Sequence, residues 1–191
     1  MATIAITGHS AGIGNAFAKR LEADGHVIVG LSKRDGNNIR VIPKIVEKIA
    51  PCDMWINNAQ AGYAQTELLY KVCERWKDQG PKLIWSIGTI MSRFQTLPDI
   101  QGLDSYTVAE YRTQKRSLID AVDTLRVLTP NVRHCLIHPG AVATQSERPN
   151  GADVNAWANY TVDTWNQARR NNLIINEIGI GYFDKGNTFE L

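Results

Sequence analysis

Tyr111-Arg112-Thr113-Gln114-Lys115 sets a phenol and an ammonium at i and i+4, on one face of a helix. A cation beside a phenol favours phenolate and lowers its pKa, so such a tyrosine can pass a proton to or from a carbonyl or alcohol near neutral pH. The spacing is common, and a solvated surface pair is the plain alternative. A second segment able to do chemistry lies near the start of the chain. There Thr3-Ile4-Ala5-Ile6-Thr7 runs into Gly8-His9-Ser10-Ala11-Gly12-Ile13-Gly14, with three glycines in seven residues. Glycines at a strand-to-helix junction let a ligand come close to the backbone. The start of the helix offers unpaired N–H groups and a positive dipole end, which suit a pyrophosphate. The segment therefore predicts nucleotide binding, an ordinary strand-to-helix turn being the other reading.

The elements that must hold these groups alternate between strand and helix. Ile4 to Thr7 reads as a buried strand, and Ile13, Phe17 and Leu21 recur at helical spacing. Val27 to Leu31 is a second apolar strand, and Pro43 opens a short helix whose apolar face carries Ile45, Val46 and Ile49. Met54 to Ile56 is a third strand, ending in Asn57-Asn58-Ala59. A polar helix over roughly Thr66 to Asp78, stopped by Gly80-Pro81, precedes the strand Lys82 to Ile87. Tyr111 and Lys115 ride on a one-sided helix from about Tyr106 to Leu128, whose stripe is Leu118, Val122 and Leu125. His134 to Ile137 is a strand leading into Pro139-Gly140, and a helix from Val154 to Arg169 precedes a last strand from Leu173 to Ile178. Apolar strands alternating with helices imply an α/β fold: a single Rossmann-like, doubly wound parallel sheet flanked by helices on both faces, with ligands at the carboxyl ends of its strands. The whole of residues 1–191 is expected to be one such domain.

Composition excludes several classes. The net charge of +2 shows no basic stripe, so neither nucleic acid nor an acidic membrane is expected as a partner. Cys52, Cys73 and Cys135 suggest neither a disulfide framework nor a zinc site, and read as buried thiols in a reducing compartment. No His/Cys/Asp/Glu cluster has metal-ligand spacing, so no metal is expected. The first strand follows Met1 directly and no apolar run is long enough to span a bilayer, which predicts a soluble, cytoplasmic protein. The five tryptophans, among them Trp157, read as core or interface residues.

Four motifs in order resemble the short-chain dehydrogenase/reductase family: Thr7 to Gly14 looks like its cofactor turn, Asn57-Asn58-Ala59 like its Asn-Asn-Ala-Gly, Tyr111 and Lys115 like its Tyr-x-x-x-Lys, and Pro139-Gly140-Ala141-Val142-Ala143-Thr144 like its Pro-Gly-x-Val-x-Thr. The resemblance implies that Gly8, Ser10, Gly12, Ile13 and Gly14 bind the dinucleotide. It implies that Asn58 and Ala59 steady the central sheet beside it, and that Pro139, Gly140, Val142 and Thr144 border the nicotinamide. Lys115 would hold the nicotinamide ribose and Tyr111 would exchange a proton with the substrate oxygen. Thr89 falls in the usual serine position, with Ser86 and Ser92 as alternatives. At the end of the second strand, Ser32, Lys33 and Arg34 suit a 2′-phosphate and favour NADP(H); Asp35 keeps NAD(H) possible. Asn38-Ile39 resembles the family's Asp-hydrophobic pair beside the adenine. The implied activity is hydride transfer between nicotinamide and a small-molecule carbonyl or alcohol, by a homodimer or homotetramer.

The sequence also departs from the family. Gln60 replaces the glycine of Asn-Asn-Ala-Gly, the stretch from Asn58 to Thr89 is short, and it contains no counterpart of the helix asparagine that supports a proton relay. Residues around Leu97 to Leu103 read as an insertion between Thr89 and Tyr111. The loop after Thr144 is brief, with Glu147, Arg148 and Trp157 as candidates to line a pocket. These departures motivate the alternative of a nucleotide-binding sensor or scaffold that kept the fold and lost catalysis.

Overall fold

The structure is a computed structural model that describes residues 1–96, 103–144 and 151–181. Its first unit is β1 (Thr3–Thr7), α1 (Gly12–Ala23) and β2 (Val27–Leu31), followed by α2 (Ile42–Ile49) and β3 (Met54–Asn57). Then come α3 (Ala64–Trp76), β4 (Lys82–Ile87), α4 (Ser105–Leu128) and β5 (Val132–Pro139). Two short strands, β6 (Val142–Ala143) and β7 (Ala152–Asp153), precede α5 (Val154–Arg170) and β8 (Glu177–Ile180).

The main sheet has six strands in the order β2-β1-β3-β4-β5-β8, with every pairing parallel. Its strands read as continuous apolar runs because both faces are covered. On one face α2, α3 and α4 bury Ile45, Leu68, Trp76 and Leu118 against Ala5, Trp55 and Leu136. On the other, α1 and α5 bury Phe17, Trp157 and Trp165 against Ile6, Trp85 and Ile137. Phe17 meets Trp85 and Trp157 edge-on with ring centres 5.7 Å apart in each case, the offset that aromatic quadrupoles favour. The five tryptophans are all in this interior, so Trp157 is a core residue rather than a pocket wall.

Three expectations about the elements need correction. The last strand is Glu177–Ile180 and not Leu173 to Ile178. Leu173 and Ile174 are 64% and 55% exposed, and the register is set by pairing of Glu177 with Leu136 on β5. Second, α3 is not polar all round: Leu68, Leu69, Val72, Cys73 and Trp76 make a buried stripe. Third, β6 and β7 pair with each other, a contact too short to leave a period-2 pattern. All three cysteines are buried and free, and burial pushes the Cys73 and Cys135 thiols up to about 12. No helix among the described residues is long and apolar enough to cross a membrane, and no group of His, Cys, Asp and Glu there could hold a metal ion.

Candidate active site

The chain runs from β1 out to β2 on one side and to β3 on the other, so the crevice of this doubly wound sheet opens at the carboxyl ends of β1 and β3. The glycine turn lies there. Gly8 has φ +75° and Gly12 has φ +53°, a region that side-chain-bearing residues rarely adopt. A Cβ on Gly14 would stand 2.3 Å from the Gly8 carbonyl oxygen, so α1 can pack this closely only on glycine. Ala11, at the head of α1, has no side chain able to cap the helix, and the first turn carries no acidic residue. The N–H groups and the dipole end are left for an anionic ligand. Across the crevice, the Asn58 amide donates to the Thr7 carbonyl at 3.0 Å, and its backbone N–H donates to the Thr7 hydroxyl at 3.1 Å. Thr144, in the segment after β5, comes within 3.3 Å of where a Gly12 Cβ would stand. The turn, Asn58 and the Pro139–Thr144 segment therefore line one cleft, whose glycine cradle and uncapped helix start fit a dinucleotide.

At the far end, the Ser32 hydroxyl donates to Asp35 at 2.6 Å, and the carboxylate lies 3.7 Å from His9 Nε2. The His9 ring fills the space that a Cβ on Gly30 would need, 2.4 Å from its Cδ2. His9 thus packs over β2 toward Asp35. Lys33 and Arg34 are exposed on a 3-10 turn (Lys33–Asp35), and neither forms an ion pair among the described residues. Ile39 is buried in the core beside this turn, and the Asn38 side-chain oxygen accepts from the Arg40 N–H at 3.1 Å.

The proton-handling groups converge past the end of β4. Thr89 begins a second 3-10 turn (Ile90–Arg93), with its side chain accepting from the Met91 N–H at 3.4 Å. Its hydroxyl acts on the Tyr111 phenol, drawing its pKa down, while burial of the ring pushes it up more strongly. The net shift is upward, contrary to the expectation that Lys115 lowers it. Burial of the phenol is the reason. Lys115 is itself 3% exposed with its Nζ 5.8 Å from the centre of the Tyr111 ring, and burial holds its pKa down to about 7. Of the alternative hydroxyls, Ser92 donates to the Thr89 carbonyl at 2.6 Å, and the Ser86 hydroxyl is buried without a partner. Tyr106 is 88% exposed, away from these groups. Gln60 is pinned to α4 by donation to Gln114 at 2.6 Å, which draws it aside from the crevice. Glu147, Arg148 and the segment Leu97 to Gly102 lie outside the described residues.

The depressed Lys115 has a measurable consequence. The unfolded lysine keeps its proton to about 10.5 and the folded one to about 7, so between those values the unfolded chain binds more protons. Folding stability therefore rises with pH through that window, by up to about 1.4 kcal/mol per pH unit. Cys73 and Cys135 contribute the opposite slope at the alkaline end, but they cancel in a comparison with Lys115→Met. The urea stability of wild type minus that of the variant should climb from pH 7 to 10, and a flat difference would mean that the ammonium is hydrated.

Gln65 is the residue that sequence reasoning missed. It accepts from Lys115 at 2.8 Å, and it stands at the head of the buried face of α3. The helix legible in the sequence begins at Thr66, one residue later, so Gln65 carries no signal there.

This arrangement of sheet, glycine turn and crevice is the fold of nicotinamide-dependent dehydrogenases of known structure. The chain superposes on the 3-alpha-hydroxysteroid dehydrogenase of a Pseudomonas species complexed with NADH (TM-score 0.68, 16% identity, covering 94% of this chain and 95% of that one). It superposes similarly on the bulky-bulky ketone specific alcohol dehydrogenase of Comamonas testosteroni (0.70, 16%, covering 97% and 88%). The NADPH-dependent 3-quinuclidinone reductase of Rhodotorula rubra gives 0.71 at 16% identity, covering 94% and 89%. At these identities the likeness is one of fold. No protein-family model and no curated protein matches the sequence.

Proposed function

We propose that the chain is an NADP(H)-dependent oxidoreductase of the short-chain dehydrogenase/reductase family, interconverting a carbonyl and an alcohol. What supports this is that Thr89, Tyr111 and Lys115 gather past the carboxyl end of β4, two strands along the parallel sheet from the glycine turn that follows β1. Tyr111 gives its proton to the substrate oxygen in reduction and takes it back in oxidation, and Thr89 holds that oxygen through its hydroxyl. Lys115 steadies the dinucleotide and, when charged, eases formation of the phenolate. The nicotinamide, when bound, supplies or accepts the hydride. Gly8, Ser10, Gly12, Ile13 and Gly14 hold the pyrophosphate, Asn58 and Ala59 the wall beside it, and Pro139, Gly140, Val142 and Thr144 the nicotinamide side.

Exposed Lys33 and Arg34 support NADP(H), with Ser32, Asn38 and Ile39 completing that end. Asp35, drawn in by Ser32, is the feature that competes for NAD(H). The same reading extends to a cytoplasmic homodimer or homotetramer, which light scattering reads directly. The raised Tyr111 pKa and the lack of any asparagine between Asn58 and Thr89 favour a second reading, a nucleotide-binding sensor or scaffold with little catalysis.

Calorimetry with NADPH and NADH, followed by NADPH oxidation across a panel of aldehydes and ketones, separates the two. Tighter uptake of NADPH than of NADH together with turnover is expected. Uptake without turnover across the panel selects the sensor, and no uptake of either dinucleotide removes both readings.

A further inference from the structure

Gln65 is a polar residue on the apolar face of α3, and it is 2% exposed. A buried amide costs stability unless its donors and acceptor are matched, and here they are. Its Nε2 donates to the Asn57 carbonyl at 2.8 Å and to the Ile87 carbonyl at 3.2 Å. Its Oε1 accepts from Lys115 Nζ at 2.8 Å. With both amide hydrogens directed at carbonyls, only the oxygen can face the lysine, and a flipped amide would set like groups against each other on every side. The backbone carbonyl of Gln65 accepts in turn from the Asn57 amide at 3.3 Å, which ties the start of α3 to β3.

Lys115 is held from three directions. Gln65 faces it from α3, the Ile87 carbonyl accepts from it at 2.8 Å from β4, and the Tyr111 ring lies one turn earlier on its own helix. Lys115 forms no ion pair among the described residues, and burial alone accounts for its displaced titration. An ammonium has three N–H donors and two are taken by the protein, which leaves one for a ligand oxygen.

We propose that Gln65 is a positioning residue that fixes Lys115 beside Tyr111 through a neutral hydrogen bond, keeping one lysine N–H free for the dinucleotide. This rests on the dehydrogenase reading, and it supplies from α3 a support for the lysine where the helix asparagine of the resembling family is missing. A carboxylate in its place would lock the ammonium into an ion pair and cancel its field at the phenol. An amide supplies the acceptor without the charge, so whenever Lys115 carries its proton no carboxylate offsets it beside Tyr111.

The test is an NMR titration of the apo chain labelled with 13Cε-lysine, the Lys115 signal being assigned by its loss in Lys115→Met. Gln65→Glu is expected to raise the Lys115 midpoint by about one pH unit or more, and Gln65→Met to lower it. An unchanged midpoint in either folded variant overturns the assignment. The wild-type chain gives a check that needs no variant: the side-chain amide signals of Gln65 should shift across the Lys115 titration, and their indifference to it also overturns the proposal. In calorimetry, Gln65→Met should weaken NADPH binding about tenfold, the loss of one well-placed support for a charged group. Failure of the wild-type chain to take up NADPH would fall instead on the dehydrogenase reading, since the apo titration does not depend on it.

Discussion

Replacing Tyr111 with phenylalanine should lower turnover by at least ~100-fold while leaving NADPH affinity within about twofold, because only the proton-transferring oxygen is removed. The ring stays in place, half-buried and beside the Lys115 ammonium, so packing and the cation–ring contact survive. The raised phenol pKa adds a direction. Below it Tyr111 carries its proton, which suits carbonyl reduction at neutral pH; alcohol oxidation needs the phenolate and should rise with pH. Steady-state rates in both directions between pH 6 and 10, with calorimetry on the variant, make the check. Wild-type turnover in Tyr111→Phe would remove Tyr111 from the chemistry.

Gly14→Ala should weaken dinucleotide binding by at least ~100-fold and destabilise the fold by about 1–3 kcal/mol, as overpacking a close contact does. Alanine is the better helix former by about 1 kcal/mol, so propensity alone argues for stabilisation. Space decides otherwise. The new Cβ would lie 2.3 Å from the Gly8 carbonyl oxygen and 2.7 Å from the Asn58 amide nitrogen, and the first of these is backbone that cannot swing aside. Either α1 backs away from the turn or the turn opens, and both move the N–H groups that would meet a phosphate. Gly80→Ala is the matched control, since a Cβ there has nothing within 4 Å. Thermal melts and NADPH calorimetry on the two variants should separate clearly; equal behaviour would mean that the turn is slack.

The parts of the molecule legible in the sequence are those set by local residues. The glycine turn, the covered strands and the helix carrying Tyr111 announce themselves through apolar runs and helical spacing, and the structure has them within a few residues. What escaped depends on partners distant in the chain. Leu173 to Ile175 are as apolar as a strand should be, yet pairing with β5 begins only at Glu177. Gln65 gains its meaning from Lys115, fifty positions on, and His9 from Gly30 and Asp35. The titration of Tyr111 escapes for the same reason: i, i+4 spacing brings a cation near, but only the enclosing elements bury the phenol and push its pKa up.

Among the described residues, β2 is the outermost strand on its side of the sheet. Lys33 and Arg34, which follow the buried Ser32 at its end, are exposed. On the dehydrogenase reading, changing coenzyme choice is for that reason a local problem, addressed at the exposed Lys33 and Arg34 rather than in the interior.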